Sequence, residues 1–207
     1  MIQHTTFGET TLEIARDVIE RFHYSGSVPT GQNRFFVWRV DVNGTSVPLT
    51  GDMFGSAIYA VADYGIGVNP YQAAFVSDLF KRTVTPTEII ELKRLARVEP
   101  RIEGLPLTYF LAKCHKVLRR EGYRCVVSFS DPAHSHTGGI YRAANFKHCG
   151  KTSEEWHVVD TEGNLRHRRY AYRYARRNGV SIAEARQELG LERTPTPPKD
   201  RWVLWLS

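Results

Sequence analysis

Long apolar runs are missing. Nowhere in the 207 residues does one approach the roughly 18–20 residues that cross a bilayer, so no membrane-spanning helix is expected. The opening residues, MIQHTTFGET, have neither a basic start nor an apolar core and do not read as a secretory leader. Cysteine is scarce. Cys114, Cys125 and Cys149 are odd in number and far apart, which argues against a disulfide framework or a structural zinc site. They read as reduced, mostly buried thiols of a cytoplasmic protein. No internal repeat is visible. Acidic side chains are in the minority, 22 against 28 Lys and Arg, for a formal charge of +6. That balance points to an anionic partner, nucleic acid ahead of a membrane, or else to a basic surface with no partner at all.

What is present is an ordinary globular composition, 42% hydrophobic and 24% charged, sufficient for one domain with its own core. Segment 10–22, TTLEIARDVIERF, spaces Leu12, Ala15, Ile19 and Phe22 at helical intervals, with Thr10 or Thr11 as its cap. RFFVWRVDV (34–42) reads as a strand, Asn43-Gly44 as a hairpin turn, and VPLTGDMFGSAIYAVA (47–62) as the returning strand. DYGIGVNP is a loop and YQAAFVSDLF a short helix. EIIELKRLARV (88–98) is a buried strand, GLPLTYFLAKCHKVLRREG (104–122) a helix, and YRCVVSFSD (123–131) another buried strand. GGIYRAANF starts a short helix, and KHCGKTSEEWHVVD carries the last clear strand region. This order predicts a mixed α/β fold whose sheet begins antiparallel and has a βαβ crossover in its middle.

From about residue 164 the composition changes. RHRRYAYRYARR (166–177) puts six Arg and three Tyr into twelve residues. SIAEARQELGL reads as a small helix opened by a Ser181–Glu184 capping box. ERTPTPPKD reads as a proline-rich spacer, and RWVLWLS as a final edge strand.

Four places carry chemistry. In ELKRLARVEPRIEGLPLTYFLAK a strand runs through a loop into a helix N-terminus, and Arg101 and Gly104 sit where an anion would be held, unless this is an ordinary joint. In SFSDPAHSHTGGIYRAANF (128–146), Asp131 closes a buried strand, where it can accept a proton from an amine or cap the next helix. With His134 and His136 it also has the composition of a non-haem iron site. Tyr141 is a general acid, a ligand or a core tyrosine, and the direction of Ser128 depends on strand register. Just past the first helix, His23 can act as a base, a metal ligand or an exposed loop residue. Arg94 can orient an acyl carbonyl, hold a phosphate or pair with Glu91. In the basic run, Arg166, Arg169, Arg173 and Arg176 would share a helix face. With Arg168 they would neutralise phosphates while Tyr170 and Tyr172 stack on bases, unless the run is simply a solvated helix.

Arg101-x-x-Gly104-x-Pro106 resembles the GNAT acyltransferase loop Q/R-x-x-G-x-G/A, with Pro106 in place of the last small residue. Proline suits a helix N1 position but removes one N–H donor. Tyr141 to Phe146 resembles the superfamily's Y-x-x-x-G-F, with Asn145 in the glycine position, an exchange that positive φ tolerates. HYSG (23–26), LKRLAR (92–97), SFSD (128–131) and HTGGIYRAANF (136–146) together resemble the phage Mom DNA-modification family, a divergent branch with a GNAT-like fold. The resemblance covers roughly residues 20–160.

The resemblance implies a GNAT-like mixed sheet with a basic C-terminal helical extension. Residues 1–163 would form the catalytic domain, with 164–207 packed on it. It implies conversion of adenine in DNA to N6-carbamoylmethyl-adenine, which shields the DNA from restriction, in a host cytoplasm when phage-encoded. His23, Arg94, Ser128, Asp131 and Tyr141 are the implied site residues, with His23 and Tyr141 the implied ligands of an iron. The partner is then double-stranded DNA with its adenine flipped out against Tyr24, Phe54 and Tyr59. The atoms of that product point to a glycyl donor such as glycyl-tRNA, with acetyl-coenzyme A at Arg101 and Gly104 as the alternative. Two other functions stay open: an acyl-coenzyme A-dependent N-acyltransferase acting on a small molecule or protein, and a DNA-binding module on an inactive transferase fold.

Overall fold

The computed structural model describes residues 5–40, 57–67, 71–99, 101–153, 155–166 and 169–206. Its strands are β1 (Thr5–Thr10), β2 (Asn33–Val40), β3 (Ala57–Gly65), β4 (Ile89–Arg97), β5 (Cys125–Ser130), β6 (Lys147–Lys151), β7 (Glu155–Val159), β8 (Leu165–Arg166), β9 (Glu192–Thr196) and β10 (Asp200–Trp205). Its helices are α1 (Leu12–Phe22), α2 (Gln72–Phe80), α3 (Leu107–Arg120), α4 (Gly139–Ala143), α5 (Arg169–Asn178) and α6 (Ile182–Glu188). The chain forms two compact units. The first takes Met1–Ser130, Gly138–Gly150 and Arg201–Ser207, and the second Asp131–Thr137 and Lys151–Asp200.

The first unit is built on a seven-stranded sheet of order β1-β2-β3-β4-β5-β10-β6. The first four strands pair antiparallel, and β4 pairs parallel with β5 across the α3 crossover. This is the mixed α/β sheet with a central βαβ unit that the sequence predicts. Helices cover both faces. Phe110, Leu111, Cys114 and Leu118 of α3 pack on Phe36, Trp38, Tyr64 and Leu92. On the other face, Ala15, Val18 and Ile19 of α1 pack on Phe35, Val37 and Val61, while Val76 of α2 packs with Val127 and Val203. Strands covered on both faces read as continuous apolar runs, and IYAVADY in β3 is one, broken only by Asp63.

Local chemistry explains where the elements start and stop. Thr11, not Thr10, caps α1, its Oγ1 accepting from Ile14 N at 3.5 Å. Thr10 instead ends β1, a strand the pattern does not announce because Phe7 is its one large apolar side chain. Pro106 lies one position earlier than expected, as N-cap of α3 instead of N1. The Asn43-Gly44 turn and most of the expected strand 47–62 lie outside the described residues, and β3 runs on to Gly65.

RWVLWLS is not an edge strand, since β10 lies between β5 and β6. Its burial agrees with this: Trp202 and Val203 are both nearly fully buried and enter opposite cores, as in a strand covered on both faces. The region KHCGKTSEEWHVVD splits into two strands that join different sheets.

The second unit holds a three-stranded sheet, β8-β7-β9, with α5 and α6. ERTPTPPKD is not a spacer. β9 pairs with β7 over Glu155↔Thr196 to Val159↔Glu192, and Pro195 is tolerated because β9 is at the sheet edge. The capping box is present, with Glu184 N on Ser181 Oγ at 3.1 Å and Ser181 N on Glu184 Oε2 at 2.7 Å. Helix α5 starts at Arg169 while Arg166 belongs to β8, so Arg166, Arg169, Arg173 and Arg176 do not share one helix face. Arg168 lies outside the described residues. No helix among the described residues is long and apolar enough to cross a membrane.

Candidate active site

The parallel ladder between β4 and β5 ends at Leu92↔Ser128, although β4 continues to Arg97 and β5 to Ser130. Register turns Ser128 inward, fully buried. Its Oγ lies 2.8 Å from Leu92 O and 2.8 Å from Tyr141 Oη. Counting protons fixes the direction of both bonds. A carbonyl only accepts, so the single Ser128 hydroxyl proton goes to Leu92 O, and Tyr141 must donate to Ser128. The Tyr141 oxygen then keeps its lone pairs for an incoming N–H. Burial, first among several causes, pushes the phenol pKa upward. Tyr141 is therefore held neutral, as an acceptor for an amine rather than a base.

The Tyr141 ring is clamped. It stacks on Trp202 at 5.6 Å between centroids and meets Phe146 edge-on at 5.4 Å. Trp202 is fixed by its own donor, Nε1 to Ser130 Oγ at 2.9 Å. The Gly-Gly step before the tyrosine is explained here. Gly138 is the N-cap of α4 with φ +73, and a Cβ added there would stand 2.1 Å from Trp202 Cζ2. Asn145 takes φ +64, as its place in the Y-x-x-x-G-F pattern requires. Trp202 is one residue that sequence reasoning missed. Its distance along the chain hid it, and the only signal was two tryptophans in the closing segment.

A second group stands near Tyr141. Tyr24, Arg94 and Glu91 lie close enough for their charges to act on its phenol. Tyr24 is 42% exposed, and its ring packs on His23 at 4.4 Å. Ser25 N donates to His23 Nδ1 at 3.2 Å, so the neutral imidazole carries its proton on Nε2. Arg94 spends Nε on Ser27 O at 3.2 Å and Nη1 on Lys93 O at 2.7 Å. Asp63 pairs with Arg94 across the β3–β4 ladder, and as it follows Val61 by two residues it faces the α1 side.

Asp63 is fully buried, and among the described residues neither of its oxygens has a hydrogen-bond partner. Desolvation raises its pKa from 3.8 to about 6, with Lys93 and Arg94 opposing and Glu91 assisting. Sequence reasoning passed over it, though one acid in AIYAVADYG was a signal.

The other expected site residues fall elsewhere. Asp131 belongs to the second unit, where Lys199 Nζ lies 3.3 Å from its Oδ2 and its carbonyl accepts from His134 N at 3.1 Å and His136 N at 3.3 Å. Burial foremost lowers the His136 pKa, with His134 acting in the same direction and Asp131 against it. Among the described residues no group of three His, Cys, Asp or Glu side chains could hold one metal ion. Tyr59 lines no open pocket. It is buried, and its hydroxyl bridges Ile102 N at 3.3 Å and Leu105 O at 3.2 Å. Phe54 lies outside the described residues.

The loop at Arg101 and Gly104 fits a pyrophosphate badly. Gly104 has the open, positive-φ backbone such a loop needs, φ +79. But Ile102 N is spent on Tyr59 and Leu105 N on Ile102 O, and Pro106 has no N–H. Glu103 adds a negative charge between them.

In the second unit, Arg166, Tyr170 and Arg173 line one groove together with Tyr174 and Arg177. Tyr172 is 52% exposed and Arg169 is exposed, both elsewhere on α5.

Comparison with known proteins adds the following. The model of the Mom protein family matches residues 4–206. No curated protein matches. Among solved structures, an N-acetyltransferase from Staphylococcus aureus Mu50 is 12% identical with a TM-score of 0.49, over 99% of this chain and 100% of that one. The ribosomal-protein-S18-alanine N-acetyltransferase from Escherichia coli is 10% identical with a TM-score of 0.49, over 99% and 95%. A Bacillus subtilis acetyltransferase in complex with CoA is 9% identical with a TM-score of 0.48, over 99% and 99%.

Proposed function

The chain belongs to the Mom protein family, and from that premise we propose that it is a transferase that modifies the exocyclic N6 of adenine in DNA, giving N6-carbamoylmethyl-adenine. The observation that carries the reading is the Leu92–Ser128–Tyr141 hydrogen-bond chain. It leaves a neutral, clamped oxygen ready to accept an N–H, which is what orienting an aromatic amine requires. The target adenine must leave the duplex to reach it. Tyr24, exposed and close enough for its charge to act on the phenol, is the aromatic surface offered to the base. Arg94 supplies positive charge for an oxygen that becomes anionic during acyl transfer.

The donor follows from the product. The added group is CH2-CO-NH2, bonded to the ring nitrogen through carbon. Acetyl transfer would give N6-CO-CH3, with the wrong attachment and one nitrogen short. A glycyl ester supplies every atom. N6 attacks its carbonyl, the C–O bond to the carrier breaks, and the proton N6 sheds goes to the departing oxygen. The product of that step is ring-NH-CO-CH2-NH2. The free amine then attacks ring carbon C6 through a five-membered ring, the original C6–N6 bond breaks, and one proton moves from the entering to the leaving nitrogen. The result is ring-NH-CH2-CO-NH2, with no oxidant or reductant consumed. An aminoacyl-tRNA is the ester that fits, and the basic charge of +6 suits a polyanionic donor. Because Ile102 N and Leu105 N are already bonded and Pro106 has no N–H, the Arg101–Pro106 loop offers few donors to a pyrophosphate, and no step is routed through coenzyme A.

Growth on 15N-glycine tests this. The label is expected on the nitrogen attached to the ring, and mild hydrolysis of the side-chain amide should release unlabelled ammonia. Label confined to the amide, or none in the base, contradicts the glycyl route.

A further inference from the structure

The second unit contains a groove of about 510 Å³ lined by Leu165, Arg166, Tyr170, Arg173, Tyr174 and Arg177. Tyr170, Arg173, Tyr174 and Arg177 are three and four residues apart along α5 and so share one helix face. Two of its walls are held in place. Arg166 Nε binds Asp160 Oδ2 at 2.9 Å and lays its guanidinium over the Tyr170 ring at 5.5 Å. Asp160 is itself fixed by Asn164 N at 2.8 Å and Glu162 N at 3.1 Å, within the turn between β7 and β8. The Tyr174 hydroxyl is hydrogen-bonded to Glu188 of α6.

The cations between these rings are not neutralised. Helix α5, RYAYRYARRN, has four Arg and no acid, and among the described residues Arg173 and Arg177 have no acidic partner. Complementing the helix dipole would account for Arg176 and Arg177 in the last turn. It does not account for Arg173 a turn earlier, nor for two tyrosines tied down beside it. Unpaired guanidinium groups call for phosphate, and flat ring faces call for bases. A duplex presents its phosphates but hides its base faces in the stack. An unpaired strand presents both.

We infer that this groove binds single-stranded nucleic acid, with one phosphodiester between Arg173 and Arg177 and one base against Tyr170. The inference rests on the proposed function for its biological setting: the strand is either DNA beside the extruded adenine or the unpaired end of a charged tRNA.

Fluorescence anisotropy with labelled oligonucleotides tests it without requiring the chemical step. The full-length protein is expected to bind a mixed-sequence DNA single strand about tenfold more tightly than the matching duplex at equal salt. Replacing both Arg173 and Arg177 by Ala should weaken single-strand binding at least about tenfold and flatten the salt slope by roughly one unit or more. Tyr170→Leu should weaken binding without changing the slope, because stacking releases no counterion. Arg169→Ala, outside the groove, should keep the single-strand preference. Thermal melts check that each variant folds, and the exposed arginine pair remains informative if Tyr170→Leu does not. An RNA hairpin with an unpaired 3′ end bound more tightly than DNA assigns the groove to the donor, and the reverse order assigns it to the target strand. Duplex bound as tightly as single strand, or a double variant that binds like wild type, overturns the inference. Intact binding without DNA modification would instead count against the proposed function alone.

Discussion

The surroundings of Tyr141 and the groove on α5 both combine aromatic rings with polar groups, but they do so in opposite ways. Around Tyr141 the hydroxyl bonds have one direction each, and the ring lies between Trp202 and Phe146 with little room to turn. In the groove Tyr170 lies under the Arg166 guanidinium and Tyr174 is tied through its hydroxyl to Glu188, while Arg173 and Arg177 are exposed and have no acidic partner among the described residues. A buried, satisfied network can hold one reacting atom within a fraction of an ångström, and a single lost bond in it is costly. Exposed cations suit contact with a repeating anion, where each contributes little and neighbours share the load. Single substitutions should therefore be severe in the first region and graded in the second.

The largest effect is expected for Tyr141→Phe. It keeps the ring packing and removes the oxygen that orients the amine. Initial rates of DNA modification should fall roughly 100-fold or more, while the protein stays folded with DNA affinity near wild type and loses only the worth of one hydrogen bond, about 1 kcal/mol of stability. A rate within a few-fold of wild type would mean that the clamped oxygen is not part of the chemistry.

Gly138→Ala should come next. The added Cβ collides with Trp202, and φ +73 is costly for an L side chain. Strain and overpacking together should remove about 3 kcal/mol of stability, read in denaturant titrations. Near-UV circular dichroism should report a displaced tryptophan. A variant as stable as wild type would mean that Trp202 is not seated where the clamp on Tyr141 needs it.

Asp63→Asn is a smaller effect and depends on pH. Burial raises the Asp63 pKa from 3.8 to about 6, so the folded protein holds a proton that the unfolded chain releases. Stability from this group is fully present below about pH 4 and is lost as pH rises through about 6. The size is on the order of 2–3 kcal/mol at most. Asparagine carries no charge to desolvate. The variant should be more stable than wild type at pH 8 and lack the decline between pH 4 and 6. Parallel declines in the two proteins would show that burial does not keep Asp63 protonated in the folded state.

The two regions also differed in how far the sequence disclosed them. Helices α1 and α3 and strands β4 and β5 were legible because each buries one face or both with regular spacing. Ser128, Tyr141 and Asn145 could be singled out from short motifs and the family resemblance those motifs carry. What held them could not. Trp202 lies far along the chain, and its place between β5 and β6 follows from long-range pairing that no periodicity encodes. Likewise the arginines of RHRRYAYRYARR look equivalent in a helical projection. A strand ending at Arg166 and a helix starting at Arg169 sort them into groove and surface.

Nucleoside mass spectrometry of plasmid DNA from cells expressing the wild-type protein tests the central claim most directly. The account predicts an adenine nucleoside in which one N6 hydrogen is replaced by CH2-CO-NH2, absent from cells expressing Tyr141→Phe. Unmodified adenine in DNA exposed to an abundant, folded wild-type protein, or an N6-acetyl group in place of the carbamoylmethyl group, would contradict it.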